Sequence, residues 1–124
     1  MKLLKRILGH LWCLPYTVLG FLLFQTYGAT GYRTQDGVLI VRVKRIWLGY
    51  ENTAGQCIGQ VMAVEERYAN SQRLIRHELE HAAQFRRWGL LMGPAYGIAS
   101  LVAALRGKHF YRDNCFEVEA RKAE

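Results

Sequence analysis

The chain has 124 residues, and its 17 Lys and Arg outnumber its 10 Asp and Glu, which gives a net charge of +7. This length allows one compact domain and leaves little room for a second. Hydrophobic residues make up 51% of the chain, which excludes a disordered protein. The positive charges form no Lys/Arg-rich run of the kind that marks a nucleic-acid-binding tail, so we expect no nucleic-acid partner.

Residues 1–30 form an apolar N-terminal segment with a basic start. The apolar pattern predicts a helix over 3–27 that Pro15 kinks or splits in two. Three interpretations fit it: a transmembrane helix over 11–30, a secretory signal that ends at small residues, and a helical hairpin that packs on the domain or lies in the membrane interface. A second uncharged stretch, 88–105, is also flanked by arginines. Basic residues around apolar segments favour an anionic membrane surface as a partner, and we expect a location at a bacterial inner membrane.

The remaining residues, 31–124, predict an α+β domain. Asp36 and Gly37 predict a tight turn before a strand over 38–43, and a second strand is expected around 57–64. Asn52 and Thr53 lie in the predicted connection. We therefore expect a small antiparallel sheet of two or three strands, packed on an active-site helix and a C-terminal helix.

Three helices are predicted in the second half of the chain, from their caps and from apolar residues at three- and four-residue spacing. Their expected bounds are Asn70 or Ser71 to Gly89 for the first, Pro94 to about Leu105 for the second, and Asp113 or Asn114 to the end of the sequence for the third. The three cysteines are widely spaced and odd in number, which predicts free thiols and argues against a disulfide framework or a thiolate zinc ribbon.

The first of these helices contains the motif His-Glu-Leu-Glu-His over 77–81. Histidines four residues apart lie one above the other on a helix, so His77 and His81 can bind one Zn²⁺ ion together. Glu78 is turned ~100° away around the helix axis, where it can act as a general base on a metal-bound water. The motif therefore predicts a zinc site, and the alternative is an exposed helix with two histidines and a ladder of ion pairs.

A catalytic zinc site needs a third protein ligand. The candidates downstream are His109, Asp113, Cys115, Glu117 and Glu119. Around these residues, the run Asn-Cys-Phe-Glu-Val-Glu-Ala over 114–120 resembles the gluzincin branch of the HExxH zinc metallopeptidases, and also small uncharacterised bacterial proteins with the same two motifs.

The resemblance covers about residues 55–124 and implies that Glu117, in an E-x-x-A setting with Ala120, is the third ligand, with Glu119 as the second choice. Many gluzincins have an Asp directly after that alanine, where it orients a ligand histidine, whereas this chain has Arg121. Asp113 or Glu80 would then have to orient the histidines. Asn114 and Glu117 also match a helix capping box, which is the structural alternative for Glu117.

The resemblance further implies an edge strand that pairs with an extended substrate, and the strand over 61–64 is the candidate. Tyr111 is the candidate to stabilise the oxyanion, with His109 or Arg112 behind it. A membrane span over 88–105 would separate the predicted ligands by ~30 Å of hydrocarbon, so that segment must fold back, lie in the interface or be buried.

We therefore expect a membrane-associated zinc metallopeptidase that hydrolyses peptide bonds of a peptide or protein substrate, with Glu78 as the general base on a zinc-activated water. The alternative is a non-catalytic zinc-binding or membrane-interaction module that uses the same ligands structurally. Such a site would close its fourth position with a protein group such as Cys115 or His109. The sequence leaves the substrate and the oligomeric state open.

Overall fold

A computed structural model describes residues 2–49 and 53–124. The α+β class is confirmed, since a small sheet is packed among helices. Asn52 lies outside the described residues. The elements, in chain order, are α1 (Lys2–Trp12), α2 (Leu14–Gln25), β1 (Ala29–Gln35), β2 (Val38–Val43), β3 (Gly55–Ile58), β4 (Val61–Glu65), α3 (Gln72–Trp88), α4 (Met92–Leu105) and α5 (Cys115–Lys122), with short 3-10 turns before and after α3.

The N-terminal segment is a pair of helices that meet at Cys13 at an angle of 60°. Pro15 lies in the first turn of α2, where its missing N–H costs no hydrogen bond within that helix. The predicted split by this proline is therefore confirmed. Among the described residues, a further helical stretch over 72–105 is long and apolar enough to cross a membrane.

The sheet has the strand order β1-β2-β4-β3. β1 and β2 form a hairpin through the predicted turn, where Asp36 and Gly37 have φ angles of 51° and 78°. β3 and β4 form a second antiparallel hairpin, but β2 pairs with β4 in parallel. The sheet is therefore mixed, and the expectation of purely antiparallel pairing was wrong.

The described residues form a sheet of four strands, so the expectation of two or three was wrong, and two features of the sequence explain the difference. β1 is exposed and polar along most of its length, so it lacks the hydrophobic alternation that would mark it. The single strand expected over 57–64 is interrupted at Gly59, which has a φ of 67° and turns the chain between β3 and β4. A Cβ at Gly59 would lie 2.4 Å from the backbone nitrogen of Thr17, so α2 passes directly over this turn.

The sheet lies between α2 and α3. One face packs Val41 and Val61 against Phe24 of α2. The other face packs Ile40 and Met62 against Ile75 of α3 and against Ala82, which lies two helical turns after Ile75. Burial of these apolar side chains on both faces fixes α3 against the sheet. This packing determines which side of α3 remains available for a site.

Caps define the ends of α3 and α5. The Ser71 side chain accepts a hydrogen bond from the backbone N–H of Leu74 at the start of α3, and Gly89, with a φ of 54°, follows its last residue. The Asn114 side chain accepts from the backbone N–H of Phe116 at the start of α5. Both predicted starts are confirmed at one of the two residues expected for each.

The N-terminal helices and α4 pack against each other. Trp12 lies over Gly89, and its indole N–H donates to the carbonyl of Arg86 at 2.6 Å. The hydroxyl of Tyr16 donates to the carbonyl of Leu90 at 2.8 Å and accepts from the backbone N–H of Gly93 at 3.0 Å. The corner between α1 and α2 is therefore held against the turn that connects α3 to α4.

Candidate metal centre

α3 presents the two motif histidines on the side opposite the sheet. Their ring centroids lie 5.0 Å apart, as expected for side chains one helix turn apart. Ile75 and Ala82 are buried against the sheet, which turns His77 and His81 towards α5. The helix geometry predicted from the motif is thus present.

α5 brings a carboxylate to the histidines. Glu117 Oε1 lies 3.2 Å from His77 Nε2, and Glu117 Oε2 lies 3.1 Å from His81 Nε2. One ligand atom from each of the three side chains lies within 4.8 Å of the other two. His77, His81 and Glu117 could together hold a metal ion.

Glu117 does not complete a capping box, although Asn114 caps the helix. Its carboxylate faces the histidines and Tyr96, while the backbone N–H of Asn114 donates to the carbonyl of Tyr111. Glu119, the second candidate, lies elsewhere: its carboxylate accepts from Gln84 at 3.0 Å and pairs with Arg87 at 2.8 Å.

The outer ring nitrogens of both histidines also have partners. His77 Nδ1 lies 2.8 Å from Glu124 Oε2, and His81 Nδ1 lies 2.9 Å from Gln84 Oε1. Hydrogen bonds of this kind fix the ring orientation and leave Nε2 as the nitrogen that faces a metal.

Neither Glu124 nor Gln84 was predicted from the sequence as a partner of these histidines. Glu80 pairs with Arg87 and Asp113 accepts from the backbone N–H of His109, so the expectation that one of them orients a ligand histidine was wrong. Glu124 lies seven residues after Glu117, a spacing that would place both on one face of the helix expected to run to the end of the sequence, although α5 itself ends at Lys122. That spacing is the signal that could have found it.

Charges at the centre are strongly coupled. Burial alone would raise the pKa of Glu117, but hydrogen bonds from His77 and His81 outweigh it and hold that pKa far below its ordinary value. Burial would likewise lower the pKa of His81, yet the hydrogen bond to Glu117 and the charge of Glu78 raise it to about 9. Two imidazole nitrogens and a carboxylate within hydrogen-bonding distance of each other are a donor set that binds a metal ion once their shared protons are displaced.

Glu78 lies beside this cluster rather than in it. It is only 5% exposed, and burial raises the pKa of its carboxyl, although the two neighbouring histidines oppose this shift. β3 packs closely against it, because a Cβ at Gly55 would lie 3.2 Å from Glu78 Oε1. A buried carboxyl with a raised pKa next to a metal site is suited to accept and return a proton.

Two tyrosines adjoin the carboxylate of Glu117. The hydroxyl of Tyr96 donates to Glu117 Oε2 at 2.8 Å. Burial and the charge of Glu117 raise the pKa of Tyr96 and of Tyr111 above the ordinary tyrosine value, so both remain hydrogen-bond donors at neutral pH. Tyr111 was predicted from its position in the sequence, whereas Tyr96, in α4, was not.

Two cavities flank the cluster, with volumes of about 440 and 540 Å³. Gly55, Glu78 and Tyr111 line both of them. Together the cavities form a groove that runs along the free side of β3, and we call this the β3 groove. The candidate metal centre lies between its two ends.

The strand beside the groove is β3 and not the strand over 61–64. That segment, β4, is paired on both sides, so its prediction as a substrate-binding edge was wrong. Glu65 donates its backbone N–H to the carbonyl of Ala54 at 3.0 Å. Hydrogen-bonded pairs alternate along an antiparallel ladder, so the peptide groups of Gly55 and Cys57 point away from β4 and into the groove.

All three cysteines are free thiols, as predicted. Within the part of the chain that the structure describes, neither Cys115 nor His109 belongs to the group of close metal-ligating side chains. Two side-chain nitrogens and one carboxylate therefore form the candidate centre, and a fourth protein group is not among them.

Comparison of the chain with models of protein families, with curated proteins and with solved structures gives no match. The feature that bears on function is therefore the convergence of the motif histidines and Glu117 on one point.

Proposed function

We propose that this chain is a membrane-associated zinc metallopeptidase. The observation that carries the proposal is the convergence of two imidazole nitrogens and one carboxylate within 4.8 Å of each other, with Glu78 beside them. Two His and one Glu are a donor set of catalytic zinc sites, which keep the fourth position open for water or substrate. We therefore assign zinc as the ion.

His77, His81 and Glu117 would hold the ion, which when bound supplies Lewis-acid polarisation of a carbonyl and lowers the pKa of water. Glu78 takes a proton from the attacking water and delivers it to the nitrogen of the leaving amine. Tyr111 donates a hydrogen bond to the oxygen on which negative charge develops. The peptide groups of Gly55 and Cys57 align an extended substrate with the free side of β3.

The alternative is a non-catalytic module in which the same three ligands hold zinc structurally. Structural zinc sites are closed by a fourth protein ligand, and the described residues offer three at this centre. The three ligands found among the described residues match the number in catalytic zinc sites, which supports the catalytic proposal over the structural one.

Substitution of Glu78 by Gln tests the catalytic proposal. The zinc-loaded Glu78→Gln variant is expected to keep its zinc and to lose at least ~100-fold in the rate of peptide hydrolysis, because it lacks a general base. The measurement is cleavage of a mixture of unstructured peptides, followed by mass spectrometry. Glu80→Gln is the matched control, since it makes the same change on the same helix at a residue that faces Arg87.

An unchanged rate for Glu78→Gln would contradict the proposal. Zinc in every variant without hydrolysis by any of them would favour the structural module instead.

Exposed apolar side chains support the membrane part of the proposal. α1 and α2 expose several large ones, and α4 exposes Ile98, Leu101 and Leu105, which is 78% accessible. These two surfaces adjoin where Tyr16 and Gly93 meet. Large exposed apolar surfaces mark membrane or partner interfaces, and the basic residues near them suit anionic lipid headgroups.

The dimensions favour attachment to one leaflet. Within the stretch over 72–105, the part formed by α3 is rich in charged residues, and the apolar α4 has 14 residues, or about 21 Å of helix, against a hydrocarbon core of ~30 Å. The 60° bend between α1 and α2 likewise suits helices that lie in the interface.

A single introduced charge tests this attachment. Leu101→Glu is expected to reduce binding to vesicles that contain phosphatidylserine by about tenfold, because the carboxylate would have to enter the lipid. Gln72→Glu adds the same charge at the first residue of α3, outside the exposed apolar surface of α4, and is expected to bind like the unaltered chain. Vesicle flotation measures both, and equal binding of the two variants would contradict the proposed surface.

A further inference from the structure

The two ends of the β3 groove differ in chemistry. The end with a volume of about 440 Å³ carries Arg73, Ser71 and Glu124 beside His77. The other end, of about 540 Å³, is walled by Tyr16, Ile58, Phe85 and Met92. We call this second end the apolar chamber. A bound extended chain would therefore meet polar groups on one side of the metal centre and apolar side chains on the other.

The walls of the apolar chamber come from elements that are far apart in the sequence. Tyr16 belongs to α2, Ile58 to β3, Phe85 to α3, and Met92 to α4. The Tyr16 ring packs against that of Phe85 with centroids 5.2 Å apart. Its hydroxyl is held by hydrogen bonds to Leu90 and Gly93, so the ring is fixed in place as a wall.

The chamber adjoins the catalytic groups directly. Glu78, His81 and Glu117 line it together with the apolar walls. The peptide groups of Gly55 and Cys57 line the same space from the free side of β3. A chain paired with β3 would thus place a side chain in the chamber when its carbonyl lies at the metal centre.

We propose that the apolar chamber receives one large apolar side chain of the substrate next to the bond that is cleaved, which makes the N-terminal helices part of the substrate site. The inference rests on the proposed peptidase function, because it concerns the same groove. Tyr16 and Met92 determine the specificity, because they form the apolar wall against which a large apolar side chain would bury its surface.

The methionine methyl groups offer a direct test. Met92 lines the chamber, whereas Met62 is buried between the sheet and α3 and lines neither end of the groove. The full chain with Glu78→Gln, which prevents turnover, is labelled at its methionine methyl groups. It is titrated with the capped pentapeptides Gly-Gly-Leu-Gly-Gly and Gly-Gly-Asp-Gly-Gly and followed by NMR.

The leucine peptide is expected to shift the methyl resonance of Met92 and leave that of Met62 unchanged. Its dissociation constant should be at least tenfold lower than that of the aspartate peptide. In a Tyr16→Ala background, which enlarges the chamber, the preference should move from leucine towards tryptophan. Tyr32→Ala, at an exposed tyrosine of β1, is the control and should retain the preference for leucine.

Equal binding of the two peptides overturns the inference, and so does binding of the leucine peptide without a shift at Met92, or no binding at all. The titration needs no turnover, so it can succeed even if the peptidase proposal fails. Conversely, cleavage of a peptide mixture without enrichment of apolar residues beside the cleaved bond would overturn the chamber and leave the peptidase proposal intact.

Discussion

The His81→Ala and Glu117→Ala variants are each expected to bind no zinc under conditions in which the unaltered chain binds about one ion. Each substitution removes one of the three close donor groups, and two remaining donors bind zinc far more weakly than three. The variants remain folded, since the α3 packing that holds the sheet does not involve these side chains. Elemental analysis together with circular dichroism measures both properties.

Two further variants serve as controls for the loss of zinc. His10→Ala removes a histidine that contacts the carbonyls of Arg6 and Gly37, far from the centre, and should keep its zinc. Glu124→Ala removes the carboxylate that orients His77 and is expected to weaken zinc binding by about 10- to 100-fold without abolishing it.

Zinc that persists in Glu117→Ala would contradict the three-residue centre and leave the histidine pair to bind the ion with another group. Zinc that is absent from the folded, unaltered chain even after it is supplied would overturn the proposed function as a whole.

The Gly89→Ala variant is expected to lose about 3 kcal/mol of unfolding free energy. The new Cβ would lie 1.9 Å from the Trp12 ring at a φ of 54°, so overpacking adds to the cost of a left-handed backbone. Gly97→Ala is the matched control on the next helix, where a Cβ would meet nothing within 4 Å. It should gain about 1 kcal/mol from helix propensity.

Urea unfolding followed by circular dichroism measures both glycine variants. Comparable midpoints for the two would show that Trp12 is not held over Gly89 and that the N-terminal helices are not fixed against α3. The double variant Gly89→Ala with Trp12→Ala should recover part of the loss, because it removes the clash.

Local patterns predicted much of the fold. The capped starts of α3 and α5, the turn at Asp36 and Gly37 and the split at Pro15 all follow from residues whose backbone preferences act over a few positions, whereas α4 begins at Met92, before the expected Pro94, and α5 ends at Lys122, before the end of the sequence. The parallel pairing of β2 with β4 depends on contacts between distant segments, so no local signal marked it. The exposed strand β1 was missed for a similar reason, since polar side chains give it no apolar face.

The candidate metal centre, like the fold, was only partly predictable from the sequence. The spacing of the histidines predicted their geometry on α3, and the resemblance to gluzincins predicted Glu117, which lies beside both histidines. Gln84 and Tyr96 approach the centre only through packing of α3, α4 and α5. Which strand borders the groove could not be predicted either, because a strand is an edge only relative to the strand order of the whole sheet.

The free side of β3 also bears on self-association. Unpaired strand edges can pair with strands of other molecules, so that a sheet grows edge to edge without limit. Here the unpaired peptide groups of Gly55 and Cys57 face a groove whose far wall is formed by Met92 and Tyr96. Beyond one added strand, that wall would obstruct further pairing, and at the opposite edge the exposed charge of Arg33 on β1 opposes edge-to-edge pairing. The geometry that would admit a single extended chain would thus also oppose growth of the sheet by further chains.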